Sequence, residues 1–255
     1  MTAKLFSAEL HTLSTADGSA TYTSPSGSHT IVAGVNYPLE VPYRSDEMPE
    51  STYIQINLRP HNGVGMVKER HIEELVRRLL QSVVLGEETP RCMLQVTLQV
   101  MDVEVDETLP GGVKGGGQGE SYLEILVGAI NTAVLGCLDA GVKMRGIAGA
   151  VLVATMKDGS TVAWPDLKQR KLARALHVLA YGREGQCLLI ETEGALDLAA
   201  WEQAEKIARR EVTGTADEED GDVDMRAHST SSVFELLRRS VEMRVARDTR
   251  WVTAP

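Results

Sequence analysis

Apolar and polar side chains alternate along several stretches of the chain, with the two-residue period of a half-buried strand. The clearest stretch is Tyr53–Arg59, where Ile54, Ile56 and Leu58 share one face and polar residues separate them. Alternating, β-branched or small apolar residues predict further strands at residues 4–14, 30–41, 93–101, 147–155, 160–164 and 186–192. The chain is therefore expected to build sheets in both of its halves.

Other stretches have the three- and four-residue spacing of amphipathic helices. Residues 68–84 carry apolar side chains on one face, and residues 197–210 and 232–247 repeat the pattern. Residues 168–181 are ambiguous, because helix-forming residues come first and strand-like residues come last.

One predicted helix differs from the rest, because it is apolar nearly all round. It runs from Ser121 to about residue 138 and ends at Asp139-Ala-Gly. Ser121 with Glu124 three residues later has the pattern of a capping box. A helix without a polar face has to be buried on every side, so it is expected at the centre of the fold.

The order of these elements predicts an α/β (α+β) fold, made of two similar β-then-α halves with mixed sheets packed on helices. We expect one domain over residues 1–255, interrupted by two insertions. Residues 109–120 are too rich in glycine for a regular element, and residues 213–228 hold an acidic run predicted to be disordered.

Composition excludes several classes of protein. No apolar run approaches the roughly 20 residues of a membrane span, and the first residues lack the apolar core of a signal peptide. Cys92, Cys137 and Cys187 are widely spaced, which indicates a reducing compartment and neither a disulfide framework nor a cysteine zinc site.

The net charge is −10, which taken globally argues against nucleic acid as a partner. However, the segment between Gly214 and Met225 holds six carboxylates and no base, so the remainder of the chain carries only −4. The global charge therefore does not exclude RNA.

Familiar catalytic motifs are missing. The six histidines form no metal-binding pair, the glycine loop lacks the ending of a P-loop, and no G-x-S-x-G sequence occurs. Asp102, Glu104, Asp106 and Glu107 alternate at a strand end, a pattern more typical of a solvated edge than of a metal cluster. We therefore expect no metal and no cofactor.

Basic residues are more informative. Arg59, Lys68 and Arg70 flank a glycine-containing loop between a strand and a helix, where cations can meet a phosphate backbone. A second basic cluster comprises Lys168, Arg170, Lys171 and Arg174. For both clusters the alternatives are a solvated face or salt bridges to another subunit.

Several short motifs occur in a fixed order. They are GSAT at residues 18–21, NYP at 36–38, IQINLRP at 54–60, VLG at 84–86, PR at 90–91, LDAGV at 138–142, MR at 144–145 and KQ at 168–169. In order and spacing the chain resembles the RNase PH family, and within it the ring subunits of the eukaryotic RNA exosome. The resemblance runs from about Lys4 to Ile207.

The resemblance also identifies the positions where active members of the family carry their chemistry. Their phosphate site, a Thr-Arg pair, falls on Ile125 and Leu126, which cannot bind an anion. Their paired aspartates, six residues apart, fall on Trp164 and Arg170, while Asp166 is single and shifted by two residues. The resemblance therefore implies a degenerate active site and no catalytic residue in this chain.

By resemblance, the chain is expected to be a non-catalytic structural subunit that supports 3′-to-5′ RNA processing and degradation. It would pair with another RNase PH-like subunit, and three pairs would close a six-membered ring around single-stranded RNA. Cap proteins and separate hydrolytic ribonucleases would be further partners, in the nucleus, nucleolus and cytoplasm, with no membrane. The loop with Arg59, Lys68 and Arg70 is the candidate RNA contact.

An alternative remains open at this stage. The chain could be an active phosphorolytic or metal-dependent exoribonuclease, alone or as a homodimer. It would then use Asp166 or the carboxylates between Asp102 and Glu107.

Overall fold

Two β-sheets and the helices between and around them make up the protein. The computed structural model describes residues 7–44, 46–104, 121–195, 197–214 and 232–253. The strands are β1 (Ser7–Leu10), β2 (Gly18–Thr23), β3 (His29–Glu40), β4 (Tyr53–Arg59), β5 (Cys92–Val103), β6 (Ala148–Met156), β7 (Thr161–Ala163), β8 (Ala173–Gly182) and β9 (Cys187–Gly194). The helices are α1 (Val67–Val83), α2 (Leu123–Asp139), α3 (Leu167–Leu172), α4 (Leu198–Thr213), α5 (Val233–Asp248) and α6 (Arg250–Thr253).

The first sheet has the order β1-β2-β3-β5-β4, and all its pairs are antiparallel except β4 with β5. Parallel neighbours need a crossover connection, and α1 supplies it between these two strands. The alternating residues Ile54, Ile56 and Leu58 are buried as predicted, and α1 packs against their strand.

The second sheet has the order β7-β6-β8-β9 and is antiparallel throughout. Its strand β6 is buried along its length except at Met156, because α2 and α4 both contact it. Burial from both sides explains why this strand reads as a continuous run of small and β-branched residues instead of an alternating one.

Helix α2 lies between the sheets, contacting β2 and β3 of the first and β6 and β8 of the second. Its apolar residues are buried except Ile125 and Leu138, which are half-buried, and this confirms the central helix predicted from the sequence. The buried Asn131 amide donates to the carbonyl of Ala150 at 3.0 Å and accepts from its N–H at 2.9 Å. This pair of hydrogen bonds ties the helix directly to β6.

The predicted α/β fold class is confirmed, and most predicted elements are present within a few residues of their expected bounds. The ambiguous stretch divides into α3 and β8, and the sequence pattern predicts neither β2 nor α6. The glycine-rich loop at 109–120 lies outside the described residues, as does the acidic insertion after Gly214. The single-domain assignment stays a prediction.

Among the described residues, none of the helices combines the length and the apolar character that crossing a membrane requires.

The turn that leads into β2 packs tightly against the end of α2. A Cβ atom at Gly18 would lie 2.3 Å from the backbone nitrogen of Ala140. The next residue, Ser19, donates its N–H to the Asp139 carboxylate at 2.8 Å. The same buried carboxylate lies 3.5 Å from the Arg244 guanidinium of α5. Asp139 thus joins the first sheet, the central helix and α5.

Replacement of Gly18 by alanine is expected to destabilise the protein by on the order of 3 kcal/mol, because backbone atoms of Ala140 cannot move aside as a side chain can. Gly146→Ala is the matched control, since a Cβ atom there meets nothing within 4 Å. Urea unfolding of the two variants measures the difference. Equal unfolding midpoints would show that the close approach at Gly18 is not a constraint.

Candidate functional site

The positions that the resemblance assigns to the former active site meet at the first turn of α2. Ile125 and Leu126 belong to this turn, the first half-buried and the second fully buried. Trp164 follows β7 and Arg170 lies in α3, and both side chains turn toward the same turn of α2. The topology of the second sheet therefore brings these distant residues together at one place.

Glu124 and Arg170 form a buried ion pair at this place. Only 7% of the Glu124 side chain and 9% of the Arg170 side chain are exposed. Glu104, at the end of β5, lies 3.6 Å from the same guanidinium but is 48% exposed. A carboxylate in the first turn of a helix is also favoured by the helix dipole and the unpaired N–H groups there.

The predicted capping box at this helix is wrong. The N-cap residue is Tyr122, without a side-chain cap, and the Ser121 hydroxyl instead accepts from the Leu123 N–H at 3.2 Å and donates to Glu193. Glu124 does not reach back to the cap, because its carboxylate is turned inward to Arg170.

His29 of β3 lies on the other side of the Glu124 carboxylate. Its Nδ1 is 3.5 Å from Glu124 Oε1 and 3.4 Å from the Ser28 hydroxyl. Burial, together with the nearby positive charge of Arg170, lowers the pKa of His29 to about 3. The imidazole is therefore neutral near pH 7, and Glu124 has one cationic neighbour here and not two.

The far side of the His29 ring rests against α2. A Cβ atom at Gly128 would lie 2.3 Å from His29 Nε2. Glycine at this position therefore makes room for the ring under the helix. The ring in turn holds one side of the Glu124 carboxylate.

Trp164 closes the remaining side. Its backbone has a φ of 53°, a conformation that bulky residues rarely adopt, and its N–H donates to the Leu152 carbonyl at 2.9 Å. Its side chain helps to line a cavity of about 10 Å³ together with Ser24, Ser26, His29, Glu124, Val127, Leu152 and Pro165. This is the space that a single water molecule needs, so neither phosphate nor a nucleotide fits.

The carboxylates of the alternative enzymatic interpretation lie elsewhere. Asp166 is exposed at the N-cap of α3, where its backbone N–H donates to Gln169 Oε1 at 3.0 Å. Asp102 and Glu104 are exposed at the end of β5, and Asp106 and Glu107 are outside the described residues. Within the described part of the chain, no group of three or more His, Cys, Asp or Glu residues is arranged to hold a metal ion.

The predicted RNA-contacting cations are all on the surface. Arg59 ends β4, and Lys68 and Arg70 lie in the first turn of α1. The connecting loop is attached to β5, since His61 Nδ1 lies 2.7 Å from the Met101 carbonyl. Val64 and Met66 in the loop and Val67 at the start of α1 are exposed by 85%, 55% and 82%. The loop therefore presents both cations and apolar surface to solvent.

The second basic cluster is divided by the fold. Lys168, Lys171 and Arg174 are exposed, whereas the Arg170 side chain is drawn inside to Glu124. Sequence reasoning did not identify Glu124 or His29 as members of the site. A signal was present, because a lone acidic residue near the start of an otherwise apolar, buried helix requires a buried partner.

Comparison with known proteins gives a consistent picture. Residues 3–143 match the RNase PH model, described as 3′ exoribonuclease family, domain 1. The exosome complex component RRP46 of Saccharomyces cerevisiae is 28% identical over 174 residues, covering 68% of this chain and 72% of the relative. Its counterpart in Schizosaccharomyces pombe is 27% identical over 139 residues, covering 54% of this chain and 53% of the relative.

Two solved structures share the fold. Rice (Oryza sativa) Rrp46 has a TM-score of 0.71 at 20% identity, over 94% of this chain and 95% of its own. The Archaeoglobus fulgidus exosome with RNA bound to the active site has a TM-score of 0.61 at 13% identity, over 82% of this chain and 85% of its own.

His29 predicts a particular dependence of stability on pH. Its pKa falls from about 6.5 in the unfolded chain to about 3 in the folded protein, so the unfolded state binds more protons between these values. The contribution of His29 to the free energy of unfolding is therefore fully present above pH 6.5. It declines on acidification by about 1.4 kcal/mol per pH unit well below 6.5. The groups facing the ring are Glu124, Arg170 and Tyr22.

The measurement is urea unfolding between pH 7.5 and 5, compared with His29→Gln. The comparison is needed because burial also lowers the pKa of His177. His177 therefore makes stability fall on acidification in the wild type and in the variant alike. The variant is expected to show a shallower decline. Identical slopes would contradict a buried neutral His29.

Proposed function

The chain belongs to the RNase PH family of 3′ exoribonucleases, as its motifs suggested, and from this membership we propose that it is a non-catalytic structural subunit of an RNA exosome ring. Both curated relatives described above are exosome complex components, and one of the structures with the same fold is an archaeal exosome. The proposed role is to form part of the wall of a channel through which RNA passes to be processed or degraded from its 3′ end.

The buried Glu124–Arg170 pair carries the non-catalytic part of the proposal. Phosphorolysis requires cations and amides that hold phosphate, and carboxylates that bind a metal or assist proton transfer. Here the first turn of α2 holds an internal carboxylate next to the apolar Ile125 and Leu126. An indole and a guanidinium stand at the positions where the resemblance places the paired aspartates.

The charges of Glu124 and Arg170, at the start of α2, are thus the reverse of those that phosphorolysis needs at these positions. A carboxylate at the helix start repels phosphate, and a guanidinium in α3 repels a metal ion. The cavity beside Trp164 and Glu124, about 10 Å³, is the size of a single water molecule. These observations support a non-catalytic subunit over an active exoribonuclease that uses Asp166. Asp166 is the exposed N-cap residue of a short helix.

The proposed partners are other RNase PH-like subunits, cap proteins and associated hydrolytic ribonucleases, together with single-stranded RNA in the channel. Exposed cations at Arg59, Lys68 and Arg70 support an RNA contact through the phosphate backbone. The nucleus, the nucleolus and the cytoplasm remain predicted locations.

We expect affinity purification of the tagged chain to recover ring and cap subunits at equal stoichiometry. The chain purified alone should leave 5′-labelled single-stranded RNA at full length with inorganic phosphate and with Mg²⁺ or Mn²⁺. If the main cellular form of the chain is an isolated monomer, the ring assignment is contradicted. Phosphate- or metal-dependent shortening that Asp166→Ala abolishes would contradict the non-catalytic assignment.

Reversing the charge of the loop should weaken RNA binding by the assembled ring. For Arg59→Glu with Arg70→Glu, the slope of log K against log salt concentration should fall by about 0.7 for each RNA phosphate that the loop no longer neutralises. The matched control is Arg183→Glu with Arg210→Glu, which changes the net charge by the same amount at two exposed arginines elsewhere in the fold. If the two double variants show the same salt dependence of RNA binding, the loop does not contact RNA in the channel.

A further inference from the structure

We propose that the outer face of the first sheet is the surface through which this chain contacts another RNase PH-like subunit. The inference rests on the proposed function, because it assigns the contact within the ring to particular residues. The centre of this surface lies where β3, β5 and β4 run side by side. Its residues form two rows across the three strands, and we call them the amide face: Gly34, Thr97 and Asn57 in one row, Asn36, Gln95 and Gln55 in the next.

The amide face is the side of the sheet that points away from the core. The residues that alternate with it along the strands, such as Val35, Ile56 and Val96, are buried on the side where α1 and α2 contact the sheet. All six residues of the amide face are half-buried. Leu13 lies beside it, 3.4 Å from where a Cβ atom at Gly34 would be, and is 39% exposed. The surface is therefore a flat one with an apolar border, which suits another protein surface better than a small ligand.

Charge is absent from the middle of this surface. Charged residues make up 24% of the chain, yet in β3, β4 and β5 they come only at or next to the strand ends, as Glu40, Arg59 and Asp102. Protein–protein interfaces have the same anatomy, because their buried centre is depleted of charge and their rim is polar and solvated. The amide face corresponds to such a centre and the three charged residues to its rim.

The amides also have hydrogen-bonding capacity left for a partner. Gln95 Nε2 donates to Gln55 Oε1 at a long distance of 3.4 Å. Within the described part of the chain, the side-chain amides of Asn36 and Asn57 have no hydrogen-bond partner. Each amide offers two N–H donors and a carbonyl acceptor, so it can pair with either kind of polar group on a second chain.

The size of the sheet fits a subunit contact. Its five strands, about 4.8 Å apart and about six residues long, present a face of roughly 500 Å². One partner contributes about 800 Å² to an interface of standard size. The sheet face therefore supplies the larger part of that area, and the loops around it supply the remainder.

RNA is the other macromolecule that amides recognise, but this surface suits it less. Most hydrogen bonds to nucleic acid go to phosphate and sugar, and unpaired bases stack on aromatic rings. The amide face has neither a cation nor an aromatic ring. It borders the proposed RNA-contacting loop at Arg59, the last residue of β4. In a closed ring, the surfaces beside a channel-lining segment face the neighbouring subunits, so a protein partner is favoured.

Insertion of charge without a change of size tests the inference. Asn57→Asp with Gln95→Glu converts two half-buried amides to carboxylates, which water hydrates in the isolated chain but which lose that hydration in a contact. We expect the tagged double variant to recover at least about 10-fold less of the RNase PH-like subunits, identified by mass spectrometry, than the wild type does. Urea unfolding of the isolated variant checks that its fold is intact.

Gln81→Glu with Gln203→Glu is the control for net charge. It adds the same two carboxylates at exposed glutamines of α1 and α4. This variant should recover as much of the other subunits as the wild type. Equal recovery by the two double variants would overturn the inference.

If Asn57→Asp with Gln95→Glu does not fold, accessibility decides. Thr97→Cys places a thiol in the middle of the amide face. Its alkylation by N-ethylmaleimide, followed by mass spectrometry of the peptide that contains position 97, should be at least about 10-fold slower in the purified complex than in the chain purified alone. Gln203→Cys should react at the same rate in both. Equal rates at position 97 would overturn the inference.

The outcomes separate this inference from the proposed function. Recovery of ring subunits together with an unprotected thiol at position 97 overturns the assignment of this face and leaves the ring assignment standing. A chain that is an isolated monomer in the cell overturns both. Protection that disappears when the complex is digested with ribonuclease assigns the face to RNA, and this also overturns the inference.

Discussion

The central helix α2 has no side that faces solvent, and the rest of the structure depends on this constraint. Every polar group on the helix must find its partner inside the protein, because an unsatisfied buried group costs about 1–3 kcal/mol. Glu124 pairs with Arg170 of α3, and Asn131 bonds to both backbone groups of Ala150 in β6. Asp139 accepts from the first sheet and lies beside Arg244 of α5. The polar residues of α2 thus connect both sheets and the outer helices.

This arrangement gives the family motifs a structural meaning in this chain. Gly18 is required by a backbone that passes within van der Waals distance of Ala140, and the following N–H is held by Asp139. The MR motif begins beside α1, where Met144 bridges to Val84 and the Arg145 N–H donates to the Val83 carbonyl at 2.7 Å. Contacts of this kind maintain the packing of the central helix whether or not the corner beside it performs chemistry.

The corner at the start of α2 is where the fold brings together the positions that the resemblance assigns to the active site of the family. The sheet and helix still bring two chain segments together at a helix start, where a charged pair is favourable. The signs of the charges, however, suit a closed internal contact, with Glu124 as the anion and Arg170 as the cation. The surface cations at Arg59, Lys68 and Arg70 flank a separate loop, so the proposed RNA contact does not involve this corner.

The sequence by itself determined the approximate positions of most strands and helices, because alternation and helical spacing report which faces are buried. It also indicated the family, through short motifs in a fixed order, and the central place of α2, through the absence of a polar face. It did not determine which cations lie on the surface, since Arg170 and Lys171 are neighbours with the same charge and opposite surroundings. Nor did it identify Glu124 and His29 as parts of the site, because Glu124 is 46 residues from Arg170 and 95 residues from His29 along the chain. Only the tertiary structure decided these points, since burial and pairing of a charge depend on which distant segments the fold brings together.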